Sequence, residues 1–101
     1  MTDQTIQAAR SAAEIKTEHA SRYLQQLCKH FAHKLPVTFD PNKGRISFPF
    51  GDCDLTATDS VLTLSLTTPD ASTLPRLQEV VANHLVRFAF REEMTVDWRP
   101  V

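Results

Sequence analysis

A strict alternation at residues 61–66, Val-Leu-Thr-Leu-Ser-Leu, most constrains what this chain folds into. Successive side chains of a strand point to opposite faces, so the three leucines share one face and the other residues share the second face. Residues 53–57, Cys-Asp-Leu-Thr-Ala, repeat the pattern just upstream. A sheet with one apolar and one polar face needs a helical layer on its apolar side only, which predicts a two-layer protein.

Four shorter segments also alternate, at residues 13–17, 37–39, 46–50 and 94–98. Pro49 cannot donate a hydrogen bond to a neighbouring strand, so it interrupts the third segment or places it at a sheet edge. Gly44 closes the turn sequence at 40–44 and can take a positive φ there. The alternation predicts a strand at each of the four places.

Two further segments have the period of a helix. From residue 18 to residue 34 the apolar side chains fall on one stripe, with Thr17 as the expected N-cap and Pro36 as the stop. The second helix starts at about residue 72 and keeps Pro75 in its first turn, where the missing N–H costs little. The two stripes are Ala20, Leu24, Leu27, Cys28, Phe31 and Leu35, and then Leu77, Val81, His84, Leu85 and Phe88.

The predicted class is α+β, a two-layer sandwich in the order β-α-β-β-β-α-β with both helices on one face of a mostly antiparallel sheet. The 101 residues, 42% hydrophobic and 23% charged, suffice for one core. We expect residues 1–12 to form a flexible tail and residues 13–101 to form a single domain.

The chain lacks the marks of a secreted or membrane protein. No apolar run approaches the roughly 20 residues that cross a bilayer, and the first residues lack a signal-peptide pattern. The two cysteines have no CxxC spacing, which agrees with a reducing compartment. These features predict a cytoplasmic protein that does not engage a membrane.

The net charge of -1 argues against a nucleic-acid binder, but the charges are unevenly spread. Residues 19–39 contain three Lys or Arg and no acidic residue, whereas residues 46–74 contain four Asp and no Lys or Arg. The pattern predicts a dipolar molecule. Its basic part would attract an anion, its opposite faces would join copies into a homo-oligomer, or both faces would only be solvated.

Common catalytic motifs are missing from the sequence. With two glycines the chain has neither a GxGxxG nor a P-loop, and HExxH, GxSxG and CxxC are absent as well. No cofactor is therefore evident from motifs, and the commonest nucleotide-binding, zinc-protease and serine-hydrolase classes have no support.

The string Cys28-x-His30-x-x-His33 looks like a metal site until it is placed on a helix. At about 100° per residue, Cys28 and His30 project about 160° apart and cannot share an ion. His30 and His33 are i, i+3 neighbours and are the candidate metal ligands, although two histidines alone make a weak site. Alternatively, His33 and Lys34 only stabilise the negative C-terminal end of the helix.

Cys28, Cys53 and His84 all fall on faces that are predicted to point into the core. A thiol-dependent redox protein or enzyme would use one of the cysteines as nucleophile and His84 as base. The alternative is structural, because free cysteines are among the most buried residues and one carbonyl satisfies a buried histidine. Arg87 and Arg91 follow His84 along one flank of helix two, where they would reach an anion or form local salt bridges.

Several strings of residues form a recognisable set. They are Arg22-Tyr23-Leu24, Gln26-Leu27-Cys28-Lys29-His30-Phe31, His33-Lys34, Gly51 with Cys53 and Leu55, His84-Leu85, and Arg87-Phe88-Ala89-Phe90-Arg91-Glu92. In these strings the chain resembles the bacterial domain-of-unknown-function family 2218, from Ile15 to Trp98. The resemblance implies a link to flavin-dependent siderophore-interacting proteins and so to iron uptake, and it brings no catalytic residue with it. Pro75 and the first dozen residues lie outside the pattern.

Two functions and a structural alternative remain open. The first is a small accessory or binding domain that assists siderophore or iron handling by binding a partner protein or an anionic ligand. Its candidate ligand-binding residues are Arg22, Lys29, His30, His33, Lys34, Arg87 and Arg91. The second is a redox protein or enzyme that uses Cys28 or Cys53 with His84. The third is a domain that makes structural interactions only.

Overall fold

The structure, a computed structural model, describes residues 8–89 and 91–101. In this part of the chain two helices accompany six strands, four of which lie between the helices. The elements are β1 Ala9–Lys16, α1 Ala20–Phe31, β2 Val37–Phe39, β3 Lys43–Phe48, β4 Gly51–Ala57, β5 Val61–Thr68, α2 Leu74–Phe88 and β6 Arg99–Pro100. A single 3-10 turn, Ala71–Thr73, leads into α2.

The strands form one antiparallel sheet in the order β2-β3-β4-β5-β1-β6. Both helices cover the same face: α1 packs over β2 to β5, and α2 packs over β5 and β1. The predicted α+β sandwich is confirmed, and the sheet has four strands between the helices where the predicted order counts three. Its open face carries the polar half of each alternating strand, as a one-sided helical layer requires.

The core lies between the helices and the centre of the sheet. Leu62, Leu64 and Leu66 are fully buried on β5, and they stand opposite Ala57, Leu55 and Cys53 of β4. Each fully buried leucine contributes about 1.5–3 kcal/mol relative to an exposed one. The helices supply the other half of the core through Leu24, Leu27 and Cys28 of α1 and Leu77, Val81 and Leu85 of α2.

Gly44 can take a positive φ but does not do so in this structure. It lies inside β3, directly beneath α1, where a Cβ atom would come within 2.7 Å of the Cys28 sulfur. The glycine therefore serves the close approach of the helix to the sheet rather than a turn. The turn after β3 contains Pro49 and ends at Gly51, so Pro49 interrupts the strand as the sequence predicts.

The first strand and first helix differ in length from their predicted bounds. β1 begins at Ala9 and pairs along β5 from that residue onward, so it includes the end of the segment predicted as a tail. Residues 1–7 of that segment lie outside the described residues. α1 ends at Phe31 instead of residue 34, because the amides of Lys34 and Leu35 both donate to the Phe31 carbonyl in a closing turn. The Thr17 hydroxyl accepts from the amide of His19, but His19 holds the cap position.

The strand predicted at residues 94–98 is wrong. Met94, Val96 and Trp98 are half-buried against the core, but this segment has no regular strand structure. Pairing begins only at β6, where Arg99 and Pro100 stand opposite two residues of β1. The alternation thus reports which side chains face the core and not a hydrogen-bonded ladder.

None of the described helices is both long and apolar enough to span a bilayer.

Candidate functional site

The two helices run antiparallel and leave a seam between them on the side away from the sheet. Phe31 of α1 contacts His84 of α2, and His30 contacts Phe88 one turn further along. Tyr23, near the start of α1, then meets Glu92 just beyond the end of α2. We call this surface the helix seam and define it by the residues that line its two cavities.

The larger cavity of the helix seam has a volume of about 440 Å³ and is lined by His30, Phe31, His33, Lys34 and His84. Three of the rings contact one another, with centroids 5.0 Å apart for His30 and Phe31, 4.9 Å for His30 and His84, and 4.8 Å for Phe31 and His84. His30 and His33 are exposed, whereas Phe31 and His84 are half-buried. The cavity therefore combines aromatic walls with a cationic rim.

His84 is held by its own helix. Its Nδ1 lies 2.7 Å from the carbonyl oxygen of Val80, so the neutral ring donates its Nδ1 proton to that oxygen and keeps Nε2 as an acceptor. A hydrogen bond within α2 therefore fixes the orientation of the ring.

The environment holds the pKa of His30 below its usual range. Partial desolvation of the ring where it packs against its neighbours on α2 is the largest cause, followed by the positive charges of His84, His33, Arg87 and Lys34. The lowered pKa favours the neutral form of His30, and a bound negative group would favour the charged form.

The smaller cavity, about 200 Å³, is lined by Arg22, Tyr23, Gln26, Phe88 and Arg91. It adjoins the larger one because Phe88 also contacts the His30 ring, with centroids 5.6 Å apart. Two guanidinium groups and an amide thus stand beside a phenyl ring. Arginine is the side chain best suited to paired hydrogen bonds with carboxylate, sulfonate or phosphate oxygens.

No acidic side chain is among the described residues that line these two cavities. The nearby carboxylate of Glu92 accepts hydrogen bonds from Thr17 and Tyr23. A concave surface lined by one sign of charge focuses its field and raises the local concentration of the opposite ion. The helix seam is therefore suited to an anion.

The structure brings most of the predicted ligand-binding residues to this seam. Arg22 and Arg91 line the smaller cavity, and His30, His33 and Lys34 line the larger one, while the charge of Arg87 acts on His30. Lys29 is exposed on α1 and lines neither cavity. Sequence reasoning missed Tyr23, Gln26, Phe31 and Phe88 as lining residues. A signal exists for Gln26, because Arg22, Gln26 and His30 recur at four-residue spacing along one side of α1.

The predicted meeting of Cys28, Cys53 and His84 in the core is wrong with respect to His84. Both thiols are fully buried, whereas His84 is half-buried between the helices with His30 and Phe31. Burial raises the pKa of Cys28 to about 11 and also raises that of Cys53. Neither thiol has the accessible, thiolate-favouring surroundings that nucleophilic chemistry requires.

Metal ligation by His30 and His33 stays a prediction. In the part of the chain that the structure describes, no group of three or more His, Cys, Asp or Glu side chains is arranged to hold a metal ion. The cations around the pair, Lys34 and Arg87, also oppose a bound cation.

The acidic half of the sequence does not gather into one face. Asp52 and Asp54 pair with Arg45 on the open side of the sheet, at 2.8 Å and 3.4 Å. Asp59 lies in the turn before β5 and Asp70 caps the 3-10 turn after it, so these two carboxylates stand at opposite ends of that strand. The basic seam therefore has no single acidic counterpart on the sheet.

Comparison with known proteins places the chain in a family. A family model described as "Uncharacterized protein conserved in bacteria (DUF2218)" matches residues 12–99. An NMR structure of PA4090 from Pseudomonas aeruginosa is similar to this chain, with a TM-score of 0.77 and 39% identity over 91% of this chain and 96% of that one. No curated protein matches the sequence.

Proposed function

This chain belongs to a bacterial family of uncharacterised proteins, DUF2218, and we propose that it is a small binding or accessory domain that holds an anionic ligand in the helix seam. The observation that carries the proposal is the composition of the two adjoining cavities. They present cations and aromatic rings, and none of the described residues that line them is acidic. These cations are exposed and contribute about 1 kcal/mol or less each, so the site depends on several of them acting together.

The architecture supports binding more than chemistry. The groups that would supply a nucleophile, Cys28 and Cys53, lie in the core, and His84 lies in the seam. A thiol-dependent reaction would need one of these sulfurs to reach solvent and a base. An anion needs only what the surface of the helical layer already presents.

The same proposal includes a cellular role in siderophore or iron handling, with a siderophore-interacting protein as partner. It rests on the resemblance described above and on the fit between a basic seam and ligands or protein surfaces that carry carboxylates. Size-exclusion chromatography of the chain mixed with a purified siderophore-interacting protein tests it. A shared peak that disappears in an Arg22→Gln/Lys34→Gln variant supports the partner, and separate peaks contradict it.

Anion binding itself is tested by NMR titration of the chain with inorganic sulfate at low ionic strength. We expect amide shifts concentrated at the helix seam, and a weaker affinity by about tenfold in the Arg22→Gln/Lys34→Gln variant, since each cation contributes about 1 kcal/mol or less when partly exposed. The matched control is Lys16→Gln, because Lys16 is exposed on β1 and lines neither cavity. Equal affinity in all three proteins would contradict the proposal.

A further inference from the structure

We infer that the anion held in the helix seam carries an aromatic ring, and that this ring packs against the imidazole and phenyl rings of the larger cavity. The inference rests on the proposed function and names the ligand class for it. Its chemical content is a planar apolar group joined to a carboxylate, sulfonate or phosphate.

The first support is the arrangement of rings. His30, Phe31 and His84 contact one another at centroid distances of 4.8 to 5.0 Å, and Phe88 joins them through His30. Phe31 also packs edge-on against buried Phe48, at 5.0 Å. The row of rings therefore begins in the core and ends at the solvent, where its last members remain partly uncovered.

The second support is that these aromatic side chains are only half-buried. Phe31, His84 and Phe88 are half-buried, so each keeps part of an aromatic face exposed beside its neighbours. Covering apolar surface contributes about 25 cal/mol for each Å², and aromatic pairs add to that when they meet offset or edge-on. A ligand without a ring would leave this surface wet.

The third support is size. The larger cavity measures about 440 Å³. Sites for small organic molecules usually measure roughly 300–1,000 Å³, so this cavity fits a one- or two-ring molecule. A bare oxyanion would leave most of the space to water.

The fourth support is the placement of charge around the rings. Lys34 and His33 line the same cavity as the ring cluster, and Arg87 lies close enough to lower the pKa of His30. An aromatic cation would be repelled by these groups, whereas an aromatic anion gains both the charge contact and the ring contact. A protonated imidazole over the ligand's ring would add a cation–π contact.

The experiment compares three probes that separate ring from charge. Naphthalene-1-sulfonate and methanesulfonate share the anionic group and differ in the ring, and 1-naphthylmethylammonium keeps the ring and reverses the charge. Dissociation constants come from calorimetry, and the site of binding comes from amide shifts of His84 and Phe88. We expect naphthalene-1-sulfonate to bind at least tenfold more tightly than methanesulfonate, and the ammonium probe to bind more weakly still.

A pair of matched variants locates the ring contact. His30→Gln removes an exposed ring from the cavity. At about pH 8, where a lowered pKa keeps His30 neutral, we expect it to weaken naphthalene-1-sulfonate at least threefold while leaving methanesulfonate nearly unchanged. His19→Gln is the same substitution at an exposed histidine that lines neither cavity, and it should change nothing.

The outcomes separate this inference from the proposed function. Equal binding of both sulfonates at the seam overturns the aromatic ligand class and leaves anion binding standing. Absence of binding by either sulfonate overturns the proposed function itself. Equal binding of the naphthyl anion and the naphthyl cation shows a charge-independent apolar surface and overturns both.

Discussion

The hydroxyl of Tyr23 donates a hydrogen bond to the carboxylate of Glu92, which also accepts a hydrogen bond from the Thr17 hydroxyl at 3.0 Å. One carboxylate thereby joins three parts of the chain: the connection before α1, α1 itself and the segment after α2. The contact fixes where that last segment leaves α2. It also places Arg91 beside the start of α1, at the smaller cavity of the helix seam.

Replacing Tyr23 by Phe removes this donor without changing the ring. We expect the free energy of unfolding to fall by about 1.5–3 kcal/mol, because the lost hydrogen bond has a charged acceptor. Urea denaturation measures the loss. An unchanged midpoint in Tyr23→Phe would show that this contact does not contribute to stability.

The phenol of Tyr23 should also titrate late. Burial, then the hydrogen bond to Glu92 and its negative charge, raise the pKa of Tyr23 from 10.0 to about 12. The stability associated with the neutral phenol is fully present below pH 10 and is lost as pH rises toward 12, because the unfolded chain ionises first. Ultraviolet titration of the phenolate checks the value, and Glu92→Gln should lower it.

Leu27→Ala should destabilise the domain by about 2–5 kcal/mol, since Leu27 is fully buried under α1 and the substitution leaves a cavity. Phe31 lies on the same stripe but is only half-buried, so Phe31→Ala should cost less and should weaken the larger cavity as a binding site. Thermal denaturation compares the two variants. A larger loss for Phe31→Ala would mean that α1 faces the sheet through a different stripe.

The two glycines should respond differently to alanine. At Gly51 a Cβ would lie 2.8 Å from the backbone oxygen of Thr67 and 2.7 Å from the side chain of Thr68. The backbone oxygen cannot easily move aside. We expect a loss of about 1–3 kcal/mol. At Gly44 the nearest atom is the Cys28 sulfur, so Cys28→Ala should partly rescue Gly44→Ala. Absence of that rescue in urea denaturation would contradict the packing of α1 on β3.

The periodicity of the sequence is enough to predict the two layers of this fold. The alternation at 61–66 predicts a half-buried strand, and Leu62, Leu64 and Leu66 are indeed fully buried on one face. That pattern is a local property, because each side chain is placed by the strand's own period of two. The same reasoning fails at 94–98, where alternate residues face the core while no neighbouring strand pairs with them.

The sequence predicts the residues on each side of the helix seam, but not that the two sides meet. Arg22 and His30 mark the exposed side of α1 in the sequence, and Lys34 and Arg91 follow the ends of α1 and α2. These residues come together only because two helices, more than 40 residues apart in the sequence, lie side by side and antiparallel. No local pattern in the sequence encodes that packing. For the same reason the sequence predicts His84 beside the thiols and not beside His30. Its position on the stripe of α2 borders both the core and the seam.

Both thiols should react slowly with a thiol reagent in the native protein. Cys28 and Cys53 are fully buried, and burial raises the pKa of each. Reactivity requires the thiolate and access, so both sulfurs should become reactive only on unfolding. His84→Phe should leave the native rate unchanged. One fast thiol that slows in His84→Phe would instead support the redox function.

The final prediction concerns the pH dependence of anion binding. His30 faces His84 and Arg87 from α2 and His33 and Lys34 from the end of its own helix, and these positive charges together with burial lower its pKa. A bound sulfonate stays ionised at all accessible pH values, so any pH dependence comes from the protein. Since the anion favours the imidazolium form, it raises the pKa of His30, and binding takes up a proton.

By linkage the affinity for naphthalene-1-sulfonate must rise as pH falls through the pKa of His30 in the complex, and it levels off below the lowered pKa of the free protein. Because imidazole groups change charge between about pH 5 and pH 8, we expect tighter binding at about pH 5.5 than at about pH 8. Calorimetry in two buffers of different ionisation enthalpy measures the proton taken up. His30→Gln should flatten the pH profile while His19→Gln retains it, and a profile that is equally steep in both variants would assign the proton to another group.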